Sequence, residues 1–236
     1  MKKLSMTVAV SALTVAAPGL AAAQDANYLA LRAGVNDTRQ TEFRTDDTVT
    51  QDTTISSKYD TGYSTALAFG RTYDTGSDFN VRTEFELGYS ASEVDSHQQE
   101  VVDRSNPVPS TVSRTAVTPP EGDLMVTTGF ASVYGEKDLE VIPQANFIFG
   151  AGGGVAHVDF DGYGRTGDAP VMNDDDITYG FHLSTGWSYE INDQMALEAM
   201  YRYQSIEEVE LEAETGATSR IRVDSHNFLA GLRYSF

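Results

Sequence analysis

His182 and Ser184 stand two residues apart in His182-Leu183-Ser184, and Glu198 follows further along the chain. A serine becomes a nucleophile when a neighbouring histidine takes its proton and a carboxylate holds the imidazole in the right tautomer. Residues two apart share a face only on an extended strand. The trio therefore works only if a second strand brings Glu198 beside His182. A tight turn at residues 191–194 would instead bring Glu198 opposite the neighbourhood of Trp187. Acidic runs are the next candidates. Asp174-Asp175-Asp176, Asp159-Phe160-Asp161, and Glu207-Glu208 with Glu210, Glu212 and Glu214 carry the oxygen ligands that Ca²⁺ or Mg²⁺ takes. None fills an EF-hand loop in register, so they read as solvated, mutually repelling loops. Gly150 to Gly154 lie inside a strand pattern with no following Lys-Ser/Thr, which excludes a phosphate loop. On these grounds no catalytic, cofactor-binding or metal-ligating residue is assigned, and no cofactor is expected.

Composition narrows the field further. The chain has 236 residues, 40% hydrophobic and 22% charged, with a mean hydropathy of −0.32. That length suits one domain. No stretch approaches the roughly 20 apolar residues of a membrane helix, apart from a shorter run at the N-terminus. A membrane strand escapes such a test, because only every second residue meets lipid. The formal charge of −19 excludes phosphate-gripping nucleic-acid binding and polybasic attraction to anionic headgroups. Cysteine is absent, which excludes thiol catalysis, a lipoprotein anchor and disulfide support. Rigidity must then come from another source, and a closed hydrogen-bonded barrel supplies it.

The first 23 residues read as an export signal. Lys2 and Lys3 precede an apolar stretch, Pro18-Gly19 breaks any helix, and Ala21-Ala22-Ala23 offers a small-x-small cleavage pattern. Cleavage after Ala23 would leave 24–236 as the mature domain. Loss of the two lysines takes the formal charge from −19 to −21.

The mature region alternates with period two in eight segments, residues 28–35, 59–73, 79–90, 124–134, 139–157, 177–190, 195–204 and 227–236. The third is the clearest: Phe79, Val81, Thr83, Phe85, Leu87 and Tyr89 oppose Asn80, Arg82, Glu84, Glu86, Gly88 and Ser90. In the fourth, Leu124, Val126, Phe130 and Tyr134 form the apolar face. Short turns at 74–78, 135–138 and 191–194 alternate without exception with long polar segments at 36–58, 93–123, 159–176 and 205–222. That order predicts an all-β fold: an eight-stranded antiparallel up-and-down transmembrane β-barrel with its long loops at one end.

Polarity then orients the faces. The apolar face is expected to meet lipid, because its opposite collects Arg32, Arg82, Glu84, Glu86, Glu190, Glu198, Arg202 and Arg233 together with many glycines. An eight-stranded barrel is just wide enough for side chains to fill. Opposed Arg and Glu inside it must pair, since an unpaired buried charge costs several kcal/mol. Trp187, Tyr189, Phe79, Tyr134 and Phe236 would form an aromatic girdle at the short-turn end. Tyr63, Tyr89, Tyr179 and Tyr203 would form the other.

These features, with the C-terminal strand Phe228-Leu229-Ala230-Gly231-Leu232-Arg233-Tyr234-Ser235-Phe236 and the glycine-rich Phe149-Gly150-Ala151-Gly152-Gly153-Gly154, resemble the small eight-stranded outer-membrane proteins. That family includes the OmpA barrel, OmpX and the neisserial opacity proteins. The resemblance covers residues 24–236 and implies a monomer in the outer membrane of a Gram-negative cell. Its partners would be outer-membrane lipid, lipopolysaccharide and, during biogenesis, the barrel-assembly machinery. It specifies architecture far more than activity. The expected function is a non-enzymatic barrel with a filled lumen that displays acidic loops. His182-x-Ser184 with Glu198 is similar to the arrangement in lipid A deacylase barrels, which makes such a hydrolase the alternative, and a narrow small-solute channel is the third reading.

Overall fold

The computed structural model describes residues 26–48, 51–103, 110–117, 120–142, 144–165, 172–212 and 218–236. The expected export signal at 1–23 lies outside the described residues, as does Glu214 of the acidic run.

Period-two alternation is realised as eleven strands among the described residues: β1 (Ala26–Thr38), β2 (Thr41–Thr48), β3 (Gln51–Tyr59), β4 (Gly62–Asp74), β5 (Phe79–Asp103), β6 (Ser110–Val117), β7 (Pro120–Asp138), β8 (Ala145–Arg165), β9 (Met172–Asn192), β10 (Met195–Glu212) and β11 (Thr218–Ser235). Eight of them form a ring, β1-β4-β5-β7-β8-β9-β10-β11, every pair antiparallel. β11 returns to β1, with Leu31 opposite Leu232 and Val35 opposite Phe228, so the ring is closed. Closure leaves these strands no free edge within the ring.

The remaining strands arise where the sequence suggests loops. β3 pairs with residues 94–103 of β5, β2 pairs with β3, and β6 pairs with β5 on its other side. The segments at 36–58 and 93–123 are polar but rich in Thr, Ser and Val, residues that fit a pleated surface. The ladder simply continues beyond the barrel, and the long-loop end is a folded extension. β8 to β11 lengthen in the same way. Residues 205–222 even place Ile206, Val209, Leu211 and Ile221 in the interior.

The short turns are less uniform than their composition suggests. Residues 75–78 and 193–194 connect their strands as expected, and Asn192 Oδ1 accepts the backbone N–H groups of Gln194 and Met195, both at 2.9 Å. The expected turn at 135–138 is instead the end of β7. The chain reverses at 139–144, where Gln144 adopts φ 72°. Gly-Glu-Lys-Asp has turn-like composition, but pairing of residues 135–138 with β8 holds it extended.

Facing follows the expected alternation on seven of the eight ring strands and is inverted on β7. Leu124, Val126, Phe130 and Tyr134 are buried in the interior, whereas Val133 is half exposed outside. Tyr134, at 0% exposure, is therefore no girdle residue, although Trp187, Tyr189 and Phe236 are exposed as expected. The rule that apolar means outward fails here because one half of the lumen is itself apolar. Tyr59, Val94, Leu124, Val126, Phe130, Ala156, Val158, Phe160, Tyr163, Ile206, Val209, Leu211, Ile221 and Val223 form one continuous core there.

Candidate functional site: a charged lumen beneath an apolar plug

Strand alternation turns Arg32 (β1), Arg82, Glu84 and Glu86 (β5), Glu136 (β7), Glu198 and Arg202 (β10) and Arg233 (β11) into the lumen towards the short-turn end. Each is at most 6% exposed. Four guanidinium groups thus face four carboxylates. Arg32 is the hub. Its Nη1 and Nη2 donate to the two Glu84 oxygens at 2.6 and 2.7 Å, Nη1 also reaches Glu86 at 2.9 Å, and Nε donates to Glu198 at 2.9 Å. Glu198 also accepts from Arg82 Nη1 at 2.7 Å. Arg202 pairs with both oxygens of Glu86, and Arg233 grips Glu136 through two bonds of 3.1 Å. Such forked contacts are the strong kind of charged hydrogen bond.

Aromatic and hydroxyl groups complete the packing. Tyr28 O–H donates to Glu84 at 2.9 Å, and the Arg82 guanidinium lies 5.4 Å from the ring centres of both Tyr28 and Tyr134. Ser188 donates to Glu136 at 2.5 Å. Glu136 is the member that sequence reasoning missed, because it sits in the tetrapeptide that reads as a turn. The sequence carried no charge imbalance to betray it, because Glu190 already supplied a fourth carboxylate to the inward face beside Glu84, Glu86 and Glu198. Glu190, expected on this face, is exposed at the mouth and accepts from Asn146 Nδ2 at 3.3 Å.

His182 and Ser184 come together as their spacing requires, with Nδ1 and Oγ 3.0 Å apart, and both are buried. The third partner does not join them. Glu198 lies opposite Ser188 in the β9–β10 ladder, one residue from the expected Trp187, and Gln204 lies opposite His182. The other imidazole nitrogen, Nε2, meets Ser132 Oγ at 2.9 Å. Ser184 Oγ also receives Arg202 Nε at 3.3 Å. This is a polar wire from the charge network towards the apolar core. Phe130 closes it, its ring centre 5.4 Å from that of His182. The glycines of β8 make the wire possible. A Cβ at Gly152 would sit 2.2 Å from Ser132 Oγ and 2.5 Å from His182 Nε2, and one at Gly150 would meet the Tyr134 ring at 2.3 Å.

Above the wire the core extends into the extension, where a few polar groups are individually satisfied. Tyr163 O–H donates to Tyr59, which also meets Thr41 Oγ1 at 2.6 Å. Burial pushes the Tyr59 hydroxyl up to about 12 and raises Tyr163 well above the ordinary tyrosine range. His97 bridges Ser57 Oγ at 2.8 Å and the Glu121 carbonyl at 3.0 Å. Burial lowers its pKa, which favours the neutral ring. Of the acidic runs, Asp175 pairs with His157 at 2.9 Å and Asp176 accepts the Glu210 backbone N–H at 3.0 Å. Among the described residues no three His, Asp or Glu side chains converge as a metal site.

The family model for the outer membrane protein beta-barrel domain matches residues 7–236. The chain belongs to the outer-membrane β-barrel family. Barrels of this kind have short periplasmic turns and longer extracellular loops. Similar solved structures include Neisserial surface protein A (16% identity, covering 89% of this chain and 97% of that one, TM-score 0.46). OprG from Pseudomonas aeruginosa is 14% identical over 90% of this chain and 97% of that one, with a TM-score of 0.41. Ail of Yersinia pestis is 11% identical over 89% and 99%, with a TM-score of 0.38. No curated sequence matches this outer-membrane barrel.

Proposed function

We propose that the mature chain is a non-enzymatic, monomeric envelope element with a closed lumen, which holds a folded acidic extension outside the cell among lipopolysaccharide molecules. The observation that carries this reading is the charge-balanced network of four Arg and four Glu, capped by the apolar core. A water-filled channel would need its charges hydrated, whereas these are buried and bonded to one another. Residues 1–23 fit a cleaved export signal, and the aromatic C-terminal strand fits recognition by the barrel-assembly machinery. In planar bilayers the purified barrel should give no sustained porin-sized current. A steady large conductance would overturn the closed lumen.

The hydrolase reading has one observation in its favour, the short contact between His182 Nδ1 and Ser184 Oγ. Two others oppose it. Both groups face the lumen rather than the outer leaflet where an acyl chain lies. The second imidazole nitrogen meets a serine, so no carboxylate holds the tautomer that a general base needs. Mass spectrometry of lipid A should show the same acylation in cells with and without the protein. Loss of one acyl chain that disappears in Ser184→Ala would establish the hydrolase instead.

A further inference from the structure

The exterior of the extension is acidic, and its cations are mostly engaged. Arg114 pairs with Glu100, Arg220 with Glu210 and Arg222 with Glu207. Arg39, in the link between β1 and β2, differs. Among the described residues its side chain has one bond, Nε to His226 Nε2 at 3.0 Å, and no ion pair. His226 lies on the outer wall of β11 and is held on its other side by Tyr201 O–H, 2.7 Å from Nδ1. Its ring is flanked by those of Tyr201 and Tyr203, at 6.0 and 5.5 Å, and Phe228 continues the stack towards the membrane at 5.3 Å from Tyr201. This cluster stands at the outer aromatic girdle, where the lipid-facing surface meets the headgroups.

The hydrogen bonds fix the protons. A guanidinium can only donate, so His226 Nε2 accepts and the ring is neutral with its proton on Nδ1. Nδ1–H then donates to the Tyr201 oxygen, which leaves the Tyr201 hydroxyl proton for another acceptor. Among the described residues the outer wall thus presents two kinds of donor without a protein acceptor, the Arg39 Nη groups and the Tyr201 O–H. One full positive charge accompanies them beside an apolar aromatic stack.

We infer that Arg39, His226 and Tyr201 form a docking site for the phosphorylated headgroup of an outer-leaflet lipid, with Tyr201, Tyr203 and Phe228 against the start of its acyl chains. Guanidinium suits phosphate because its fork of N–H groups matches two phosphate oxygens. Continuity of the donors with the lipid-facing stack selects a lipid over a soluble anion. Asp37 lies opposite His226 in the β1–β11 ladder and opposes an anion. The backbone N–H of Arg39 is held by the Asp224 carbonyl at 2.9 Å, while the Asp224 carboxylate is occupied by Ser205 at 2.6 Å. The site rests on the outer-membrane placement and is independent of whether the lumen is closed.

Native mass spectrometry of the refolded mature barrel, titrated with bisphosphorylated lipid A, with phosphate-stripped lipid A and with inorganic phosphate, tests it. Heat-dependent gel mobility would verify that each variant is folded. Arg39→Gln should weaken lipid A binding about tenfold, as loss of a charged hydrogen bond implies. Tyr201→Phe, which removes one oxygen, should also weaken it about tenfold, by loss of a single hydrogen bond to the charged phosphate. Asp37→Asn should strengthen it. The last two variants keep the test decisive should Arg39→Gln not fold. Equal binding of stripped lipid, unchanged binding in the variants, or displacement of lipid A by equimolar inorganic phosphate would each overturn the assignment.

Discussion

Glu198→Ala should destabilise the barrel by about 3–5 kcal/mol, the range for removing one partner from a buried ion pair. Glu198 accepts from Arg32 Nε at 2.9 Å and from Arg82 Nη1 at 2.7 Å, with Arg233 Nε 3.6 Å away. Its loss leaves the lumen with one uncompensated positive charge and strands donors on two arginines. Arg82 has least to fall back on. Among the described residues its Nε and Nη2 already have no hydrogen-bond partner, and Nε only approaches Glu136 at 3.7 Å. The cost arises from the stranded charge rather than from an intrinsic gain of the pair. Glu198→Gln combined with Arg82→Gln should therefore recover part of the loss of either single change, a coupling that a double-mutant cycle reads directly. Urea titration of folding into lipid vesicles supplies all four values. A loss below about 1 kcal/mol for Glu198→Ala would be the figure for a solvated pair and would mean a wet lumen.

Much of this network was legible in the sequence, and the reason is geometric. On a strand whose outer face must be apolar, every inward position is known once register is known. Arg82-x-Glu84-x-Glu86 declares itself between Val81, Phe85 and Leu87. Pairing of Arg with Glu then follows from the cost of burying either alone. Glu136 was hidden because local composition and tertiary pairing disagree at 135–138, and the ladder with β8 wins. The His182–Ser184 contact was legible from spacing, and the displacement of Glu198 from it was legible from the short turn at 191–194. What replaces the carboxylate, Ser132 on β7, was not. It comes from a strand two places away round the ring, whose facing the sequence alone inverted.

The extension was illegible for a different reason. Strand character in 36–58 and 93–123 rests on Thr, Ser and Val without a continuous apolar face, the composition that loops share. Only pairing partners distinguish the two states. Thr53 meets Val101 and His97 meets Val117 because β5 continues for 25 residues and offers both edges. Polar strands outside the membrane need no lipid-facing side, so the period-two signal fades where the bilayer ends. The interior beneath them still needs filling. That need places apolar residues inward on the long-loop half of β7, β8, β10 and β11, which reverses the polarity rule that holds nearer the short turns.

Phe130 lies where the two rules meet, and Phe130→Ala should cost about 3–5 kcal/mol, the range for an aromatic deleted from a packed core. The ring is fully buried at the floor of the apolar core and contacts the imidazole of His182 below it. β9, two places away round the ring, is already shaped around it, since a Cβ at Gly180 would lie 3.3 Å from its tip. No lipid chain can enter to replace the lost atoms, so a cavity term adds to the transfer term. Phe85→Ala is the matched comparison. Phe85 lies on the adjacent strand, 44% exposed on the outer wall, and lipid would close over the shortened side chain. It should lose only the transfer contribution, roughly 1.5–3 kcal/mol. Folding titrations of the two variants in one lipid therefore separate the inward assignment of β7 from the outward one that its sequence suggests. Equal losses would place Phe130 on the lipid face and dissolve the apolar core that closes the lumen.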